Sequence, residues 1–251
     1  MKDIYETGNY ELKMSAYGRT NSSADRSIWK DSTDTVTTAF TGIEWNPNSG
    51  WYENSFRTSG TGHYAVINFE PFSRRDPQDM RFPFTYGKTI EIEFESEKVN
   101  DTSDVLVLIG NPTGARIEIT PNTATLYANQ VFDETSQQWV DVEIVHTNYK
   151  PNERIKLAFI INKESETQAG RTPDDGLAYI VNNGILERGA LASGRSFNTS
   201  GTIKIGGSNS GVRVYSIRVY DKSISYADAY NNFVYDSNDK VQIVKRNDIL
   251  E

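Results

Sequence analysis

The chain is expected to fold as an all-β sandwich of antiparallel strands, and three features of the sequence predict it. Apolar residues recur at every second position over many short runs, turn formers separate those runs, and the composition is rich in Gly (18), Tyr (14), Thr, Asn and Ser. Period-2 alternation is the mark of a strand with one buried face, so the parity of each run says which side chains reach the core. With 251 residues and 37% hydrophobic content, the chain is long enough to bury one sizeable core, and one domain is expected.

The runs follow in order. Tyr64 to Phe69 turns Ala65, Ile67 and Phe69 to one side. Lys88 to Glu95 sets Ile90, Ile92 and Phe94 against Glu91, Glu93 and Glu95 on the opposite face. Val105 to Ile109 is apolar on both faces, as a central strand under a second layer would be. Arg116 to Ile119 and Thr123 to Tyr127 form a hairpin around Pro121-Asn122. Val140, Val142 and Ile144 alternate with Asp141 and Glu143, and after Tyr149-Lys150-Pro151-Asn152 the set Ile155, Leu157, Phe159 and Ile161 resumes the meander.

Leu177, Tyr179 and Val181 lead into Asn182-Asn183-Gly184 and out through Ile185 and Leu186, the strongest hairpin signal in the chain, because Asn and Gly tolerate positive φ. Ile203 and Ile205 precede Gly206-Gly207 and a last strand from Gly211. In that strand the apolar parity shifts between Val212, Val214 and Ile217, Val219, which implies a bulge or burial on both faces. Ser225-x-x-Asp228 then reads as a capping box for one short helical turn through Ala227 to Phe233. The sandwich is assigned to 1–236. Residues 237–251 are a C-terminal extension that docks on it or leads into a further domain.

Composition also excludes functions. A net charge of -8 without a compensating basic run opposes nucleic acid and anionic membrane as partners. The absence of Cys removes disulfides, thiol nucleophiles and thiolate metal sites. No apolar stretch has the length of a membrane span, and Met1-Lys2-Asp3-Ile4 does not open an apolar signal core, so no export signal is expected. His63 and His146 are the only histidines, too few for a zinc cluster and too isolated for a His-based triad.

The segments Gly62 to Phe69, Lys88 to Phe94, Ala178 to Gly184, Ile203 to Gly207 and Val214 to Asn231 resemble, in order and spacing, laminin-G-like domains of the concanavalin A-like class. Ala16 to Ser22, Trp29-Lys30-Asp31, Asn48-Ser49-Gly50-Trp51 and Lys245 to Ile249 are similar to the versions in bacteriophage tail or minor structural proteins. The resemblance implies a two-sheet jelly roll used in carbohydrate adhesion or virion scaffolding. Its partners would be a glycan or other virion proteins, with homo-oligomers common, and its location the virion or otherwise an extracellular or cell surface. The calcium site of laminin-G domains does not map onto this sequence.

Glu91-Ile92-Glu93-Phe94-Glu95 resembles the E-I-D-I-E strand of laminarinase- and lichenase-type endo-β-glucanases, with Glu in place of the central Asp. That resemblance implies Glu91 as nucleophile, Glu95 as acid/base and Glu93 as orienting residue in a retaining hydrolysis. The plainer reading is a half-exposed strand with its charges outward, and a non-enzymatic role is preferred. Asp101 with Asp104, and Asp174 with Asp175, are oxygen-ligand pairs of the kind calcium uses, but paired loop aspartates usually form turns and no EF-hand spacing is present, so no cofactor is assigned.

The long connections Pro71 to Gly87, Glu97 to Asp104, Ser165 to Gly176 and Ala190 to Gly201 are where a ligand is expected first. Trp45 and Tyr86, beside turns and long loops, are expected exposed as sugar-stacking candidates, and Trp51 is expected in the core. Arg74 and Arg75 in Arg74-Arg75-Asp76 form a solvated loop cluster with acidic-glycan contact as the alternative.

Overall fold

The structure is a computed structural model that describes residues 10–31, 36–69, 88–97, 104–109, 114–133, 136–162, 177–191, 201–207, 211–220 and 222–247. Among them are fifteen strands and one helix: β1 (Tyr10–Ser15), β2 (Thr37–Thr41), β3 (Gly50–Tyr52), β4 (Ser55–Thr58), β5 (Tyr64–Phe69), β6 (Lys88–Ser96), β7 (Asp104–Ile109), β8 (Gly114–Ile119), β9 (Thr123–Asp133), β10 (Gln138–Asn148), β11 (Ile155–Ile161), β12 (Leu177–Asn182), β13 (Ile185–Leu191), β14 (Gly201–Gly206), β15 (Val212–Tyr220) and α1 (Tyr226–Asn247).

The strands form two sheets in which every described pairing is antiparallel. Sheet A runs β13-β12-β11-β6-β15-β4-β3, with β1 also on β15, and sheet B runs β10-β9-β8-β7-β14-β5-β2. The expected all-β, two-sheet antiparallel sandwich is the fold found. Residues of alternate parity from both sheets, Ile67, Ile92, Phe94, Leu106, Ile117, Leu126, Phe159, Ile180, Ile205 and Ile217, are fully buried in one cluster between the layers. Each such side chain contributes about 1.5–3 kcal/mol relative to exposure.

The turns follow the local chemistry. Asn183 and Gly184 sit at φ 47° and 81°, the left-handed pair of a type I′ hairpin between β12 and β13. Glu53 and Asn54, at φ 46° and 61°, make the same two-residue turn between β3 and β4, a hairpin that hydrophobic periodicity alone did not mark. In β15 the register shifts between Val214 and Ser216 against β6, so the parity change reflects a bulge at Tyr215, and the strand is also buried on both faces. The parity expected for Val140, Val142 and Ile144 against Asp141 and Glu143 is found, and it changes only after Ile144, where a register shift of the edge strand β10 leaves Val145 buried as well.

The C-terminal helix is far longer than the single turn expected. It begins at the expected capping box, where the Asp228 amide donates to Ser225 Oγ at 3.1 Å and the Ser225 amide donates to Asp228 Oδ2 at 3.2 Å. It then continues through the 236/237 boundary to Asn247.

Candidate functional site

Among the described residues, buried charge gathers on the outer face of sheet A, away from sheet B, in Glu91, Glu93, Lys156 and Arg218. Because side chains alternate along β6, Glu91, Glu93 and Glu95 all point away from Ile90, Ile92 and Phe94. The register then sets a cation beside each. Arg218 lies opposite Glu91 and Arg213 opposite Glu95 on β15, while Lys156 of β11 lies opposite Glu93.

Each carboxylate is matched to its own arginine. Arg218 Nη1 donates to Glu91 Oε2 at 3.1 Å, Arg154 Nε to Glu93 Oε1 at 2.8 Å, and Arg213 Nη1 to Glu95 Oε1 at 3.3 Å. The bulge aims Tyr215 onto this face, where its hydroxyl donates to Glu95 Oε2 at 3.0 Å and the Arg154 guanidinium lies 3.5 Å from its ring centroid. Arg154 Nη2 also donates to the Tyr17 hydroxyl at 2.6 Å.

Helix α1 closes one end of this face. Ala229, Asn232, Phe233 and Asp236 fall at the i, i+3, i+4, i+7 spacing of one helical stripe. Asn232 Nδ2 donates to Glu91 Oε1 at 3.0 Å, and Asp236 accepts from Arg218 Nη1 and Nη2 at 3.0 and 2.8 Å and from Lys156 Nζ. Below them Ala158, Ile160, Val181, Tyr220, Ile224 and Ala229 form a second apolar cluster. The helix entry is pinned to β6 by Thr89, whose hydroxyl donates to the Lys222 carbonyl at 2.9 Å and accepts the Ile224 amide at 3.1 Å.

The electrostatics follow from this packing. Burial alone would raise the Asp236 carboxyl, but Arg218 and Lys156 outweigh it and hold it well below the usual carboxylate range. Burial likewise opposes the Arg218 charge, and Asp236 and Glu91 outweigh it, so its pKa stands above the ordinary arginine value. Burial pushes the Tyr220 and Tyr215 hydroxyls up, with Glu91 and Glu95 respectively adding to the shift.

Beside the helix the face is not filled. A cavity of about 250 Å³ lies between the outer faces of β1, β15 and β6 and the helix, lined among others by Ser15, Tyr17, Glu93, Ser216, Tyr235 and Asp236. Glu91 and Glu95 do not line it. The two carboxylates to which the glucanase resemblance assigns nucleophile and acid/base therefore do not share this opening. Glu91 is 1% exposed beneath Asn232, whereas a hydrolytic pair must flank one scissile bond.

The other expected site residues are dispersed. Trp45 is half-buried rather than exposed, its ring 5.1 Å from Phe40 and 6.3 Å from Trp51 in an aromatic cluster with Trp29 and Phe56. Its backbone is left-handed, at φ 57°, and passes so close to Gly50 that a Cβ there would lie 3.0 Å from Trp45 Cα. Trp51 packs in the core as expected. Asp104 opens β7 and is buried, paired in register with Ile119, so it lies on a strand and not on the expected loop. Arg74, Arg75, Tyr86, Asp101, Asp174 and Asp175, with most of the long connections, lie outside the described residues. Among the described residues no three His, Asp or Glu side chains group to hold a metal.

Sequence reasoning missed the cavity and the arginines around it. Arg154 stands in a turn before β11, and nothing in its neighbours marks it as the partner of Glu93. The one available signal was the odd-parity set Lys13, Ser15 and Tyr17 set against Leu12, Met14 and Ala16, which marks β1 and its outer face.

No protein-family model matches the sequence, and no curated protein matches it. Solved structures match its fold. The binding domain of botulinum neurotoxin DC in complex with SialylT has 12% identity and a TM-score of 0.64, over 90% of this chain and 51% of that one. The botulinum neurotoxin serotype G binding domain has 13% identity and a TM-score of 0.61, over 91% and 51%. The neurotoxin DC binding domain in complex with rat synaptotagmin II has 14% identity and a TM-score of 0.61, over 90% and 51%. This chain thus spans about half the length of the solved chains it matches, and at these identities what is common to them is the β-sandwich fold.

Proposed function

We propose that this chain is a non-catalytic recognition module, a glycan-binding β-sandwich displayed on a phage tail or a comparable surface assembly. The observation that carries the reading is the fate of the three β6 carboxylates. Each is held by a separate arginine, Glu91 is sealed under α1, and neither Glu91 nor Glu95 lines the cavity beside the helix. A face organised this way supports the positioning of a helix as its use.

Two of the solved structures with this fold are binding domains in complexes named for SialylT and rat synaptotagmin II, which supports binding as the use of the fold. The tail setting rests on the N-terminal segments that resemble phage structural proteins, and it makes other virion proteins, or copies of this chain, the alternative partners. Rim contacts through Trp45, Tyr86, Arg74 and Arg75 belong to the same proposal.

The test is a glycan array followed by titration with host cell-wall polysaccharide, where saturable binding is expected. In parallel, no reducing sugar is expected from β-glucans. Release that Glu95→Gln abolishes would overturn the reading in favour of a hydrolase. An empty array together with a discrete oligomer by light scattering would replace recognition with a purely structural role.

A further inference from the structure

We propose that the cavity between α1 and the outer face of sheet A is a binding site for one neutral, hydroxyl-rich ring, a single sugar unit of a glycan. This deepens the recognition reading above and rests on it.

The cavity has an identifiable cause in the sequence. Ser15 of β1 and Ser216 of β15 are directly opposite in register, and Ser216 is opposite Glu93 of β6. Two small side chains therefore stand side by side where the flanking outer-face positions carry Lys13, Tyr17 and Arg218. The bulge at Tyr215 carries that ring away toward Glu95. Three adjacent strands span roughly 10 Å, and α1 walls the gap with Tyr235 and Asp236. At about 250 Å³ the space falls just below the usual range for ligand sites, which suits one ring and not an extended chain.

The lining selects the chemistry. Ser216 brings a hydroxyl, Glu93 and Asp236 bring carboxylates, Arg218 brings a guanidinium, and Tyr17 and Tyr235 bring aromatic side chains. A sugar hydroxyl both donates and accepts, so it can pair with either kind of group, while the C–H face of the ring packs on a tyrosine. A net charge on the ligand would be unfavourable. Arg218 is already matched by Glu91 and Asp236, Arg154 by Glu93, and Lys13 at the rim also interacts with the protein, so an ionic ligand would place an unbalanced charge in a partly buried site. The rigidity of the walls supports affinity. Tyr17 is held by Arg154 at 2.6 Å and Asp236 by the bidentate Arg218 pair, so little ordering is left for binding.

The test is saturation-transfer NMR on the intact chain with glucose, galactose and N-acetylglucosamine, and with glucuronate and glucosamine as charged controls. Transfer from at least one neutral sugar, and not from the charged ones, is expected. Ser15→Trp fills the cavity from an outward strand position and is expected to abolish the signal. Ser216→Val removes one hydroxyl while keeping a side chain suited to a strand, and is expected to weaken binding about 3- to 10-fold. Thermal melts identify which variants fold.

The outcomes separate the two proposals. Neutral-sugar transfer that survives in folded Ser15→Trp, or that is undiminished in folded Ser216→Val, puts the sugar elsewhere, overturning the site and leaving recognition intact. Preference for glucuronate or glucosamine overturns the ligand class. No transfer from any sugar alongside a positive array overturns the cavity alone. An empty array with no transfer removes both.

Discussion

Strands β11 and β2 belong to opposite sheets of one sandwich, yet they meet their surroundings differently. Every residue of β11, Ile155 to Ile161, is buried, whereas β2 alternates between exposed and half-buried positions. Part of the difference is position, since β2 is the edge strand of sheet B and pairs only with β5, whereas β11 lies between β12 and β6. The rest is that α1 packs on the outer face of sheet A, so that both faces of β11 are covered. A second apolar cluster fills part of the space under it, and a charge network of Glu91, Asp236, Arg218 and Lys156 lies between that cluster and the cavity's Asp236 wall. Two acids and two bases cancel there, which is how a face patterned for water tolerates being covered.

The comparison breaks most directly at Arg218. Arg218→Ala leaves Glu91 and Asp236 buried without their arginine, and a loss of about 3–5 kcal/mol is expected in urea unfolding. That equals what Phe159→Ala is expected to cost on the inner face, about 3–5 kcal/mol. A loss under about 1 kcal/mol would place the outer face among ordinary surfaces. Replacing all four charges together, by Glu91→Leu, Lys156→Met, Arg218→Met and Asp236→Leu, is expected to recover most of the loss, because no buried ion is then left alone.

Acid titration sharpens the same contrast with a smaller effect. The Asp236 carboxyl is held below its ordinary value of 3.8, so its contribution to stability is complete above that value and is lost as pH falls toward its folded pKa. The melting temperature of the wild type is therefore expected to drop on acidification below about pH 4. Asp236→Asn is expected to start lower and fall less steeply. Parallel curves for the two proteins would show that this pair does not couple α1 to the sheet.

From β5 onward most strands of both sheets were legible because apolar residues recur at alternate positions between turn formers, whereas β1 to β4 were not marked. β5 was placed on its observed bounds and β6 to within one residue. The covered face was not legible, for a physical reason. The buried stripe of α1 reads Ala229, Asn232, Phe233 and Asp236, half of it polar, because the surface beneath it is charged. Hydropathy therefore ended the helix at Phe233, and the same polarity made Glu91, Glu93 and Glu95 read as outward charges or as a catalytic triplet. Their partners Arg154, Arg213 and Arg218 lie more than fifty residues away in sequence, and only the register of β15 and the turn before β11 bring them together.

A further contrast sits at the rim of the covered face, where α1 meets the β12–β13 turn. The Gly184 carbonyl accepts the Tyr226 hydroxyl at 3.0 Å, and a Cβ at Gly184 would lie 2.9 Å from Phe233 Cδ1 at a backbone φ of +81°. Gly184→Ala is expected to cost about 1–2 kcal/mol from the left-handed backbone alone, measured by thermal melt. Gly18, also at positive φ but with nothing near its Cβ position, isolates the backbone part. Gly18→Ala costing the same as Gly184→Ala would mean that the helix does not press on the turn.

The smallest effect is expected at the helix start. Ser225→Ala removes the hydroxyl that accepts the Asp228 amide and is expected to cost about 1 kcal/mol. The value separates two ways of holding α1. A helix stabilised by its own turns depends on its cap, whereas one stabilised by docking keeps its place when the cap is weakened. Hydrogen exchange in Ser225→Ala is expected to quicken in the first turn, Tyr226 to Ala229, while the Asn232 and Asp236 amides stay protected. Exchange that quickens along the whole stripe would mean that the cap, and not the buried charges, decides whether the outer face of sheet A is covered.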